Sequence, residues 1–217
     1  MVCITARYST LSAPAVVEDL EQELYDVLRL HYYVKCTRFE QIDPYDVVKH
    51  EMYHLSKAIS KVQLAIDLPI EENLSRLRKE VAPDMVIYAL ECSMAFQTDW
   101  WRPLLRDVDA PTKDLLGFLA GNQDLGFDPS QQTPLRTILS TMVHAVGRLG
   151  EFCDRHDHSE KSAVDLGSEV VLPFMQVALS LARHLAFDLD AQFGLRLIDV
   201  ANRYVGLPDT SPHKTLG

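Results

Sequence analysis

Residues 79–95 read KEVAPDMVIYALECSMA. Val81, Met85, Tyr88, Cys92 and Ala95 recur three or four residues apart and share one face of a helical wheel, and the strict alternation of a strand is absent. Glu80, Asp84 and Glu91 fall together on one flank of that face. The spacing predicts a helix from the turn LPIEEN to Phe96, interrupted near Ala82-Pro83, where proline removes a backbone donor and crowds the preceding turn. Three carboxyl groups beside an apolar seam are the first feature that an account of function must explain.

The same spacing recurs outward along the chain. Val17, Leu20, Leu24, Val27, Leu28 and Val34 mark a long first helix behind Ser12, within an N-terminal segment of residues 1–38. DPYDVV opens a helix through Val62, and with the helix ending at Phe96 it makes a first unit, residues 39–99. Residues 100–133 collect Pro, Gly, Asp and Asn around a short apolar LLGFLA and read as a connector. PLRTILSTMVHAVGRLGEF, GSEVVLPFMQVALSLARHLAFDLD and QFGLRLIDVANRYV give three amphipathic helices in a second unit, 134–206, before a polar tail, 207–217. The expected fold class is all-α. ECSMAFQTD aligns with SLARHLAFD, and HEMYHLSKAIS with HAVGRLGEFCD, which points to an internal duplication. Two helical hairpins whose apolar stripes cover each other would then form one bundle.

The chain has 217 residues, 47% hydrophobic and 24% charged, enough to bury a core. Its 21 Lys and Arg against 31 Asp and Glu give a net charge of −10 with no basic run, which disfavours nucleic-acid backbone binding and suits a basic partner. Cys3, Cys36, Cys92 and Cys153 form no C-x-x-C pair, so reduced thiols are expected. The longest apolar stretch, Val170 to Ala182, is too short to span a bilayer and holds Pro173 and Gln176, so no transmembrane segment is expected. The first seventeen residues match a secretory signal poorly, which leaves an intracellular place, cytoplasm or mitochondrion, undecided.

His50, Glu51 and His54 have the H-E-x-x-H spacing of zinc hydrolases. On the wheel, Val48, Met52, Leu55, Ile59 and Val62 form an apolar stripe with Glu51 at its border, while His50 and His54 lie about 160° and about 120° from its centre. The histidines therefore face outward and the acid inward. A zinc hydrolase also needs a third ligand, and none of Glu71, Glu72 and Glu80 is singled out. Glu51 placed beside Glu80, Asp84 and Glu91 offers oxygen ligands of the kind Mg²⁺ prefers, against the plainer reading of a solvated acidic face. Asp154-Arg155-His156-Asp157-His158 reads as a solvated turn.

With these motifs placed, the chain resembles the MazG-like, all-α nucleoside triphosphate pyrophosphatase superfamily. That family pairs E-x-x-E on one helix with E-x-x-D on the next to bind Mg²⁺. In the first unit HEMYHLSKA resembles the first motif and KEVAPDMVIYALECSMA the second, with DMVIYAL as the closest phrase. The resemblance places Glu51 at the first acid, His54 at the second, Val81 or Glu80 at the third and Asp84 at the fourth. The metal-site candidates are thus Glu51, Glu80 and Asp84. In the second unit Ala145 and Arg148 replace the first pair and Val170 and Pro173 the second, with Glu169 alongside and Asn202, Arg203 and Tyr204 in the closing helix. A guanidinium at Arg148 would repel a divalent cation.

The resemblance implies a tandem, degenerate pair forming an internal pseudo-dimer. The function expected is a non-catalytic scaffold or accessory subunit of a larger protein assembly, with no catalytic residues and no cofactor, and with Trp100-Trp101 and the connector available for docking. An alternative is a Mg²⁺-dependent pyrophosphatase using the first repeat alone, with nucleotide as ligand and Lys57, Lys61 or Arg78 near the triphosphate. The remote alternative is the zinc hydrolase.

Overall fold

The computed structural model describes residues 44–96 and 133–205. The helix expected within residues 1–38, the connector up to residue 132 with Trp100-Trp101, and the tail 207–217 lie outside the described residues, as do the side chains of Asn202, Arg203 and Tyr204.

All regular elements among the described residues are helical, as the spacing predicts. Helix α1 (Pro44–Asp67) starts on a proline, whose missing N–H costs nothing at a first helical position, and stops before Leu68-Pro69. Asn73 is buried and closes that end, its Nδ2 donating to the Leu68 carbonyl at 2.8 Å. Helix α2 (Glu71–Arg76) passes directly into a π turn, Leu77–Val81, and then into α3 (Ala82–Phe96). The interruption expected at Ala82-Pro83 is therefore a widening of the helix. Pro83 cannot donate to the carbonyl four residues back, and the Ala82 N–H instead reaches the Leu77 carbonyl five residues back, so the rod continues. A second π turn, Gly167–Val171, precedes α5 (Leu172–His184), and Pro173 again occupies the second position of the following helix.

Two expected boundaries differ. Residues 154–158, read as a turn, mostly belong to α4 (Leu135–Asp157). Contacts with α1 extend the helix there: Lys49 Nζ pairs with Asp157 Oδ1 at 2.5 Å, and Tyr45 stacks on His156 with ring centroids 3.3 Å apart, beside Phe96 and Phe152. The helix expected to reach Asp190 ends at His184. Ala186 turns into the left-handed region (φ 51°), and the Asp188 carboxylate accepts the Ala191 N–H at 3.0 Å, capping α6 (Leu189–Val205).

In the bundle α1 packs chiefly against α4 and α3 against α5, so each of these helices has its main partner in the other half. Contacts of α1 with α3 and of α4 with α5 close the ring, and α6 lies across α3 and the first π turn. Consequently the chain from Val81 to Ser93 is buried on every side, the pattern of a helix apolar all round. Leu55, Leu77, Met85, Phe174 and Phe193 fill the centre. Between α1 and α4, a Cβ on Gly150 would lie 3.2 Å from Met52 Cε. No single described helix is long and apolar enough to cross a membrane.

Removing the ring of the fully buried Phe174 should leave a void that the ring of helices cannot collapse into. Phe174→Ala is expected to cost about 3–5 kcal/mol in urea unfolding. A loss below about 1 kcal/mol would mean that this centre is loosely packed.

Candidate functional site

Because α3 is enclosed, its polar side chains are enclosed with it. Asp84 and Glu91 stand on α3 and Glu51 reaches them from α1, and all three residues are buried. Taking a carboxylate out of water is costly unless hydrogen bonds and opposite charge replace the lost hydration. For Asp84 that replacement comes from α6. Arg196 Nε donates to Asp84 Oδ1 at 2.6 Å and Nη2 to Oδ2 at 2.9 Å, while Nη1 donates to Asp199 Oδ2 at 2.8 Å. A planar guanidinium meeting both oxygens is the strongest geometry that such a pair adopts. Burial pushes the Asp84 carboxyl up and Arg196 opposes it.

Glu51 and Glu91 solve the same problem with a proton. Burial, then the charges of Glu51 and Asp84, push Glu91 well above the carboxylate range, so it keeps its hydrogen and shares a hydrogen bond with Glu51. Its Oε2 finds no partner among the described residues. Burial and the Asp84 charge raise Glu51 from an ordinary 4.5 to about 8, against the pull of Glu91 and Lys57. Tyr88, on the same helix, is raised by its burial and then by the three carboxyl groups.

The structure brings Glu51 and Asp84 together but turns Glu80 to another partner. Lys61 Nζ lies 2.5 Å from Glu80 Oε2; burial resists ionisation of Glu80, and Lys61 outweighs it to hold the carboxyl below its ordinary value. Glu80 lies within the π turn, and its charge still acts on Asp84 and Arg196 beside it. Of the bases expected near a triphosphate, Lys61 is thus engaged and Arg78 pairs with Glu71, while Lys57 is exposed with its charge acting on Glu51. His50 is exposed, as the wheel predicts, whereas His54, also expected outward, is half-buried, and Glu51, expected at the border of the apolar stripe, is buried beside Asp84 and Glu91.

In the second half, Arg148 also holds an acid. Its Nε donates to Glu169 Oε2 at 2.5 Å, and it pairs with Glu151 as well. Glu169 Oε1 accepts the Asp165 N–H at 2.9 Å while Asp165 Oδ1 accepts the Gly167 N–H at 3.0 Å, a reciprocal cap on the second π turn. Ala145 and Val170 are fully buried apolar positions.

Mg²⁺ needs several ionised oxygens free to point at one spot. Here Arg196 takes both oxygens of Asp84, Lys61 takes Glu80, and the proton of Glu91 serves Glu51. Among the described residues no group of three or more His, Cys, Asp or Glu is disposed to hold a metal ion. The donor set does not fit a magnesium site. The arrangement can hold charge and protons in a buried interior and lock α6 onto α3.

Arg196 and the proton-holding role of Glu91 escape a reading of the sequence. The signal for Arg196 was an arginine between two leucines in GLRLID, with Asp199 three residues on. No family model matches the chain, and neither a curated protein nor a solved structure matches it.

A glutamate whose folded value is raised stabilises the fold only while protonated, so the contribution of Glu51 to stability falls as pH rises from about 4.5 and levels off above about 8. Glu51→Gln removes that loss. Its melting temperature should approach or trail wild type near pH 4.5 and exceed it increasingly up to pH 8, whereas parallel curves would place Glu51 in water. Arg196→Ala, which leaves Asp84 buried and unpaired, should cost about 3–5 kcal/mol. The double variant Arg196→Ala/Asp84→Ala should cost less than the sum of the single losses, and simple additivity would show the pair to be uncoupled.

Proposed function

We propose that the chain is a degenerate MazG-like helical scaffold, a non-catalytic accessory subunit that lends its surface to a larger protein assembly. The Arg196 fork on Asp84 carries this reading. Under the resemblance, Asp84 is the acid of the second motif that the first repeat retains, and an internal cation now occupies both of its oxygens. Electrostatically the guanidinium supplies the positive charge that the divalent ion would supply, and it does so permanently.

Two features support an internal pseudo-dimer of two repeats. Both halves run through a π turn into a helix with proline second, and the main helix contacts are made between the halves. Matching Pro83 to Pro173 shifts by one residue the register drawn from the helical phrases and sets the fully buried Phe174 against Asp84. A phenyl ring there leaves no oxygen for a metal. The contact role is supported by large apolar side chains left exposed, Tyr53, Leu64, Leu68 and Ile70 on and just after α1 and Leu195 and Ile198 on α6.

The second reading, a pyrophosphatase of the first repeat, draws on Glu51 and Asp84 lying in one cluster and requires Arg196 to leave it. Pyrophosphate release from a panel of dNTPs with Mg²⁺ separates the two. The scaffold reading expects no turnover above the buffer rate and migration from the native source far above the 24.6 kDa of one chain. Turnover abolished by Asp84→Ala, or a free monomer, would contradict it.

A further inference from the structure

The outward histidines are not absorbed by the scaffold reading. His50 and His54 stand one helical turn apart on α1, with Nε2 atoms 3.2 Å from each other and rings at 66°. A zinc ion bound to two imidazoles at about 2.0–2.1 Å with a tetrahedral angle holds their nitrogens about 3.3 Å apart. The two rings thus already have the bite of a chelate. We infer that His50 and His54 form a two-histidine site for a borderline divalent metal such as Zn²⁺ on α1, built from nitrogen donors and not from the carboxyl groups of the cluster.

Between the rings the present hydrogen bond uses one Nε2–H and one Nε2 lone pair. Moving the donor's hydrogen to its own Nδ1 frees both lone pairs, and rotation of the two rings aims them at a metal about 2.0–2.1 Å from each nitrogen and to one side of the line between them, with no net proton change. His54 lies against Tyr88, ring centroids 6.3 Å apart, so one half of the chelate is held by the bundle while His50 is accessible from solvent. Two protein ligands leave the remaining positions to water. Nitrogen donors select zinc, copper or nickel over magnesium. Burial, and after it the positive charge of Lys57, Arg196 and Lys61, disfavours a charged His54 ring, and the same charges weaken attraction for a dication, so a modest affinity is expected. The site is not a hydrolase centre, because Glu51 is turned inward onto Glu91 and offers no base to a metal-bound water.

Zn²⁺ titrated into the full chain by calorimetry tests this, with Mg²⁺ as control. His50→Ala and His54→Ala lie on an exposed or half-exposed helix face, so the helix is retained, which circular dichroism checks. Each should weaken the zinc event more than about tenfold, while His156→Ala/His158→Ala leaves it unchanged. Absence of saturable zinc binding in the wild type, or a loss of less than about tenfold in either single variant, would overturn the assignment.

Discussion

The pairing of Arg196 with Asp84 is the constraint on which the bundle depends. Helix α3 is enclosed by helices on all sides, so whatever polar groups its sequence carries are placed in the core without choice. An unpaired carboxylate there would cost several kcal/mol, a large part of the stability of a domain this size. Arg196 answers that cost and fixes where α6 must lie, because a bidentate fork tolerates little sliding. The proton shared by Glu91 and Glu51 plays the corresponding part where α1 meets α3.

The fold class could be read from the sequence because it rests on local spacing. Val81, Met85, Tyr88 and Cys92 face the core as the wheel places them, and the outward placement of His50 follows from the same geometry. What could not be read depends on departures from that geometry or on distant partners. A fixed turn per residue has no place for the two π turns, and it gives no sign that Lys61 takes up Glu80. Arg196 is 112 residues from Asp84, and no periodicity connects them. The extra helical turn through Asp157 likewise depends on Lys49 and Tyr45, supplied by the other half.

Acids at regular spacing therefore carry less functional information than their surroundings. Four carboxyl groups near one seam suggest a metal when counted, and suggest structure once their partners are known. Arginine meets an acid in both halves, Arg196 on the buried Asp84 and Arg148 on the half-exposed Glu169, and in the core the charge of Asp84 is met by the chain itself.

The most direct test of this account is a crystal structure grown with Mn²⁺ and a non-hydrolysable deoxynucleotide, read by anomalous scattering. The account predicts Arg196 still forked on Asp84 and no manganese peak within reach of Glu51, Asp84 or Glu91. A manganese ion bound by Glu51 and Asp84, with Arg196 swung away toward the phosphates, would contradict it.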